Sequence, residues 1–423
     1  MPASPEPGLT PADLAAVDRL LADADAARVA AYPGDRVDRQ PVHTVYVPAD
    51  RFHPDLPAEW GARAAAVLAE HAPGPVELAA VLDVDPDSLG AVWERVVAKL
   101  GAEPIEDLRV DLEDGYGTRS DEEEDRDAVA AGTALAAAVQ QGTAPPFLGI
   151  RFKSLEAATR PRGLRSLDQV LGALLSEVEL PAGWVVTLPK VTSVDQVRAM
   201  VEVCGRLEDA YGLGAGSLRF EIQVETPQAI LLGDGTAGVA AMVHAAGGRC
   251  SGLHFGTYDY SAALGISGGY QALDHPAADH AKAVMQLAAA GTGVRVSDGS
   301  TNLVPVGDRA AVHAGWARHA RLVRRSLERG FYQGWDLHPA QLPTRFVSTY
   351  LFFRTDLDGI GARLRAYLDQ REGGVMDEPA TAQALAAFLL RGVHCGAVGV
   401  EELAALTGVG LERITALADR RIG

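Results

Sequence analysis

The run WVVTLPKVTSVDQVRAMVEVCGRLEDAYGLGAGSLRFEIQVE, residues 184–225, decides the fold. It opens on a β-branched stretch, 184–188, continues through an amphipathic stretch, and returns to an apolar stretch, 218–224. Strand, helix and strand in that order make a βαβ unit, which sets the two strands parallel in one sheet. Gly212-Leu-Gly-Ala-Gly216 comes just before the second strand and does not join a strand to a helix. It is therefore a turn and not a dinucleotide-binding loop.

The same alternation extends in both directions. Strands are predicted over 42–47, 108–112, 147–152, 184–188, 218–224, 252–255, 293–296 and 334–337. Eight such units favour a closed (β/α)8 TIM barrel over an open sheet. The barrel is expected to span 42–349. An N-terminal helical arm, 1–41, precedes it, with a helix over 11–31 capped by Thr10 and Asp13. A helical extension or lid, 350–423, follows, with helices over 381–390 and 400–417. The first βα connection, from Val47 to Leu108, is enlarged and rich in helix.

Composition limits the function. The chain has 423 residues, 48% hydrophobic and 22% charged, with a formal charge of −18. That balance suits a globular chain and gives no basic surface for nucleic acid or anionic membrane. The three cysteines lie far apart with no zinc or disulfide spacing, and the N-terminus lacks the pattern of a secretory signal. A cytoplasmic location is expected.

The predicted strands end in polar residues. Asp111, Glu113 and Asp114 are followed by Arg151, Lys190, Glu225, Asp259, Asp298 and His338, with 34 to 40 residues between successive positions from Asp114 onward. A typical barrel gives roughly 31 residues per unit, so these residues recur about once per unit and gather at the C-terminal mouth, where barrel enzymes build their sites. Glu225 and Asp259 are hard oxygen ligands suited to Mg2+, with Mn2+ as the alternative. Arg151 offers a planar fork for a carboxylate or an enolate oxygen. A metal beside an arginine stabilises an enolate, which points to making or breaking a carbon–carbon bond. Each charged residue also reads as a solvated strand boundary. The acidic run 121–127 reads as a solvated helix start with Ser120 and Glu123 as a capping box, and His254 as a core histidine. Gly265-Ile-Ser267-Gly-Gly269 matches GxSxG, but polar and small residues precede it where a nucleophile elbow needs a strand. A serine hydrolase is the lesser alternative.

Seven segments resemble the citrate lyase beta-subunit-like group, with the malyl-CoA lyases and HpcH/HpaI-type aldolases of the phosphoenolpyruvate/pyruvate barrel superfamily. They are VDLEDGYG (110–117), GIRFKS (149–154), TLPKV (187–191), FEIQVET (220–226), LHFGTYDYSAALG (253–265), VSDGS (296–300) and GWDLHPAQL (334–342). The resemblance implies a TIM barrel with helical additions and a metal-dependent lyase or aldolase, assembled as a homotrimer or hexamer. It implies Glu225 and Asp259 as metal ligands, Arg151 as the holder of substrate and enolate, Glu113 and Asp114 as an acidic pair over the metal waters, and Lys190 beside them. Gly256, Thr257 and His338 join Arg151 as expected substrate-binding residues. Gly374-Val-Met-Asp377-Glu-Pro379 resembles a segment whose aspartate acts as acid or base across a subunit interface, and Asp377 equally reads as a helix cap. After the first strand the chain has Pro48-Ala-Asp-Arg-Phe-His-Pro54 where the family shows Pro-Gly and a basic residue that help bind coenzyme A. The expected substrate is a hydroxy or oxo acid, free or as its coenzyme A thioester. A non-catalytic assembly subunit on the same barrel is the other alternative.

Overall fold

The computed structural model describes residues 8–369 and 378–419. Eight strands run in chain order: β1 (His43–Pro48), β2 (Asp107–Asp111), β3 (Phe147–Arg151), β4 (Trp184–Leu188), β5 (Phe220–Val224), β6 (Cys250–Phe255), β7 (Arg295–Ser297) and β8 (Gly334–Asp336). All pair in parallel, in the order β7-β6-β5-β4-β3-β2-β1-β8. A bridge between Ser297 and Gln333 joins β7 to the start of β8, and the Asp298 N–H donates to the Gln333 carbonyl at 2.9 Å. The sheet thus curls into the expected TIM-like barrel.

Alternation along the strands separates two environments. Val45, Val47, Leu108, Val110, Ile150, Val186, Ile222 and Val224 are buried within the hydrophobic core. The residues between them face the barrel axis and are polar. Arg109 on β2 reaches across to Glu221 on β5 (3.3 and 3.2 Å), and His254 on β6 meets Glu221 at 2.8 Å. Thr44 donates to Asp107 at 2.8 Å and accepts from Gln333 at 2.8 Å. Barrel interiors are more often filled by branched aliphatics. Here a paired ionic network fills that space, and His254 belongs to it. Gly149 is required where β3 approaches β4, because a Cβ there would lie 1.7 Å from the Val185 carbonyl oxygen.

Three helices fill the connection from β1 to β2: Leu56–His71, Pro75–Leu82 and Pro86–Ala102. The N-terminal helix Pro11–Ala31 carries the expected capping box of Thr10 and Asp13, and none of its residues is buried. Past β8, helix Leu342–Arg354 is largely buried, and Leu357–Leu368, Pro379–His394, Val400–Thr407 and Leu411–Ala418 follow. The single helix predicted over 400–417 is therefore two. Gly408, at φ 77°, ends the first in the left-handed conformation, and Gly410 caps the second.

The acidic run at 121–127 is less solvated than expected. Ser120 does cap helix Asp121–Gln141, but the Glu123 side chain turns to Arg119 instead of closing the box. Glu124 is buried against Lys153 and Ser166, both at 2.6 Å. Ser267 is exposed and precedes a short 3-10 turn, Gly268–Tyr270, away from any strand end. This is not the strand–turn–helix geometry of a nucleophile elbow. Among the described residues no helix is long and apolar enough to cross a membrane.

Candidate active site at the barrel mouth

The strand register itself builds the first contact of the site. Asp111 and Arg151 are cross-strand partners at the ends of β2 and β3. The Arg151 Nε and Nη2 groups each donate to one Asp111 oxygen at 2.7 Å. Asp111 is fixed in turn by the backbone N–H groups of Glu113 (3.0 Å) and Gly115 (2.8 Å). This side-on grip leaves the Nη1/Nη2 edge of the guanidinium for another acceptor. Nη1 now donates to Gln223 at 3.3 Å and lies 3.6 Å from Glu113. Tyr46 and Trp335 flank the guanidinium, with ring centroids 4.6 and 5.5 Å from its carbon. Arg151 is buried, and its paired carboxylates raise its pKa against the opposing effect of burial.

Lys190 occupies the centre of the mouth. Its φ of 51° is the left-handed conformation, which a lysine seldom adopts. That conformation directs its backbone N–H to Glu225 Oε1 at 2.8 Å. Its ammonium meets Asp114 at 2.7 Å, Asp259 at 2.8 Å and Glu113 at 3.0 Å. Burial opposes its charge, yet the surrounding carboxylates raise its pKa. Burial also opposes ionisation of Asp114, but the bond from Lys190 prevails and holds its carboxyl below the usual range.

Glu225 directly follows β5 and is buried. Its second oxygen accepts from Gln223 Nε2 at 2.7 Å. Burial pushes its carboxyl up to about 8, against the pull of Lys190 and Arg151. Gly256 leaves the space this carboxylate needs, since a Cβ there would lie 2.4 Å from Glu225 Cβ and 2.7 Å from Oε2. One oxygen each from Asp114, Glu225 and Asp259 lie within 4.8 Å of one another. Three oxygens at that spacing, two of them on half-exposed side chains, suit a hard divalent cation that keeps several waters.

Five recurring strand-end positions thus converge: the Glu113–Asp114 pair, Arg151, Lys190, Glu225 and Asp259. The others do not join them. Asp298 is buried and turned to Lys282 at 3.0 Å. His338 accepts from the Ala340 N–H at 3.2 Å and lies 3.3 Å from Arg63. Thr257 is buried with its hydroxyl on the Ser300 carbonyl at 3.3 Å. Asp377 lies outside the described residues. Sequence reasoning passed over Asp111 as a partner of Arg151, together with Gln223, Tyr46 and Trp335. The period of two carried a signal for two of them, because Asp111 precedes Glu113, and Gln223 precedes Glu225, by two residues.

Residues 21–422 match the family described as Domain of unknown function (DUF6986). The chain belongs to this family. No curated protein matches it. Among solved structures, it is similar to a citrate lyase from Burkholderia xenovorans LB400, at 20% identity and a TM-score of 0.55, over 74% of this chain and 91% of that one. It is also similar to native Haloferax volcanii malate synthase at 3 mM glyoxylate, at 14% identity and a TM-score of 0.50, over 92% and 99%. A third similar structure is the CitE protein of Mycobacterium tuberculosis in complex with magnesium, acetoacetate and coenzyme A, at 17% identity and a TM-score of 0.48, over 85% and 100%. For the first two, at these identities, the likeness is one of fold.

Proposed function

We propose that this member of the family is a Mg2+-dependent carbon–carbon lyase of the aldolase or citrate lyase kind. Its substrate is a hydroxy or oxo acid, free or as its coenzyme A thioester. The observation that carries the reading is the meeting of Asp114, Glu225 and Asp259 oxygens within 4.8 Å, beside Lys190 and linked through Glu113 to Arg151. The all-oxygen donor set fits Mg2+, and Mn2+ shares that preference. Glu225 and Asp259 would hold the ion, with Asp114 next to them. When bound, the ion supplies Lewis-acid stabilisation of charge on an enolate oxygen.

The chain's own residues do the rest. The Nη1/Nη2 edge of Arg151 receives the substrate carboxylate in exchange for its long bond to Gln223, while Asp111, Tyr46 and Trp335 keep the guanidinium from turning. Lys190 holds Asp114 and Asp259 in place and offsets their mutual repulsion. Gly256 keeps room for Glu225. The Thr257 and His338 side chains are engaged elsewhere and take no step in this reading. Asp377 is proposed to exchange the proton with the substrate carbon, reaching the mouth from a neighbouring subunit of a trimer or hexamer.

A Mg2+ titration of melting temperature tests the site, and a panel of oxo-acid aldols and hydroxyacyl thioesters, assayed with and without Mg2+, tests the chemistry. The wild-type chain should show a saturable rise in Tm that both Glu225→Gln and Asp259→Asn abolish, and turnover should vanish with it. Variants that respond to Mg2+ like wild type would show the metal site to be misplaced. Normal metal binding without turnover of any panel member would favour an assembly subunit over a lyase.

A further inference from the structure

At the end of the barrel opposite the carboxylates, the starts of the strands line a partly open cavity of about 90 Å³. That is several times the roughly 10–15 Å³ a single water needs by the same measure, and is room for a small ion. Its lining includes Arg219, just before β5, Arg295 at the start of β7, and Arg36 from the segment that leads into β1. The segment is laid against the barrel by several bonds. The Gly34 N–H donates to the Gly291 carbonyl at 2.8 Å, Gln40 Nε2 to the Val296 carbonyl at 3.2 Å, and Arg295 Nη2 to the Asp38 carbonyl at 2.7 Å.

The charges here do not balance. Arg36 and Arg295 share one acid, with Arg36 Nε 2.9 Å and Arg295 Nη2 3.0 Å from the same Asp38 oxygen. The bond recorded for the Arg219 side chain is a long one, 3.4 Å to the Gly248 carbonyl, and its Nε is buried with no partner among the described residues. Burial, together with Arg36 close by, lowers the pKa of Arg219, and lowers that of Arg295 to about 10. The carboxylates that line the cavity are already engaged, Asp107 by Thr44 and Arg109, and Glu221 by Arg109, Thr187 and His254. Trp184 also lines the cavity, is 3% exposed, and its indole N–H has no partner. A buried donor left unpaired costs free energy, and the part-buried like charges of Arg36, Arg219 and Arg295 repel one another. Every unspent group named here is a donor, so the missing partner is an acceptor with negative charge.

We propose that this cavity binds a small oxyanion, a phosphate or a carboxylate, held by Arg219, Arg295, Arg36 and the Trp184 N–H. The site lies at the face of the barrel that serves stability, remote from the mouth. A bound anion ties the 34–40 segment to the bottom of the barrel and neutralises the arginine surplus. Because the chain carries a formal charge of −18, general attraction of anions to its surface does not account for uptake at this point.

The test uses the full chain in chloride buffer at constant ionic strength, titrated with inorganic phosphate or with acetate, and followed by melting temperature and calorimetry. One of the two should give a saturable rise in Tm with one site per chain, and that one assigns the anion class. Arg219→Gln and Arg36→Gln should each weaken binding at least tenfold, while Glu225→Gln, at the mouth, should leave it unchanged. Without added oxyanion, Arg219→Gln should melt no lower than wild type, because it removes an unbalanced cation. No response to either anion beyond the chloride control would overturn the proposal. So would a response that survives in both arginine variants, or a lower anion-free Tm of Arg219→Gln, which would make that arginine a structural strut.

Discussion

Arg151 and Gly256 show how single positions set the chemistry of the mouth. Asp111 takes two donors of Arg151 at 2.7 Å and leaves the other edge of its fork to Gln223, at a longer 3.3 Å, which a ligand can replace. A lysine keeps the charge and loses both edges. Arg151→Lys is therefore expected to lower kcat/KM by about 100-fold or more, since loss of positioning alone has that effect. The Mg2+-dependent rise in Tm should persist, because Glu225 and Asp259 are untouched. Near-wild-type kcat/KM with an identified substrate would refute recognition through the fork. Gly256→Ala acts on the metal side instead. Its Cβ would press on Glu225, with contacts of 2.4 and 2.7 Å, and overpacking of that kind costs about 1–3 kcal/mol. Denaturant unfolding should show that loss, and the Mg2+ response should shrink as the carboxylate is displaced. An unchanged Mg2+ titration would mean that Glu225 is not held where a ligand must be.

At the scale of elements, one joint between a helix and the next strand carries an ion pair of low exposure. Helix Val194–Tyr211 ends at Gly212 in the left-handed conformation, and Glu208 in its last turn reaches ahead to the next strand. Glu208 accepts from the Leu218 N–H at 2.8 Å, the Gly216 N–H at 3.1 Å, and Arg249 at 2.6 and 2.7 Å. The Arg249 bond leads the effects that lower its pKa to about 2. A carboxylate depressed in the folded state contributes stability above its unfolded pKa of about 4.3, and loses it as pH falls toward the folded value. Stability should therefore fall between about pH 4.5 and 2, with Glu208 responsible for on the order of 3 kcal/mol. In Glu208→Gln that part of the acid limb should flatten, and the variant should be less stable than wild type at pH 7. Urea unfolding across this range is the measurement. Identical acid limbs in the two proteins would remove Glu208 from this role.

For the whole molecule, the open mouth is the feature that bears on assembly. Asp114 and Asp259 have side chains 53% and 48% exposed, whereas enolate chemistry gains from excluding water. The proposed role of Asp377 in a neighbouring subunit would meet that need and demands a homo-oligomer. Light scattering should return a trimer or hexamer. Asp377→Ala mixed with Arg151→Ala should regain activity, because some mouths then receive an intact set from two parents. A monomeric mass, or no recovery in verified mixed oligomers, would refute closure between subunits.

The period of the strands and the number of βα units are local properties, fixed by backbone geometry and by which residues are apolar. The sequence by itself determined the eight parallel strands, the capped N-terminal helix, the helix-rich first connection, and the placing of Glu113, Asp114, Arg151, Lys190, Glu225 and Asp259 at one end of the barrel. Which partner each side chain meets depends on register and on loop conformation, and these are non-local. Asp111 holds Arg151 because β2 and β3 pair in that register. Lys190 bridges the carboxylates because its backbone turns left-handed, while Asp298 and His338, at equivalent sequence spacing, turn to other neighbours. The arginine cluster at the opposite face joins residues 36, 219 and 295, and no spacing along the chain announces it. Only closure of the barrel, with the 34–40 segment laid across its base, brings those three positive charges around one cavity.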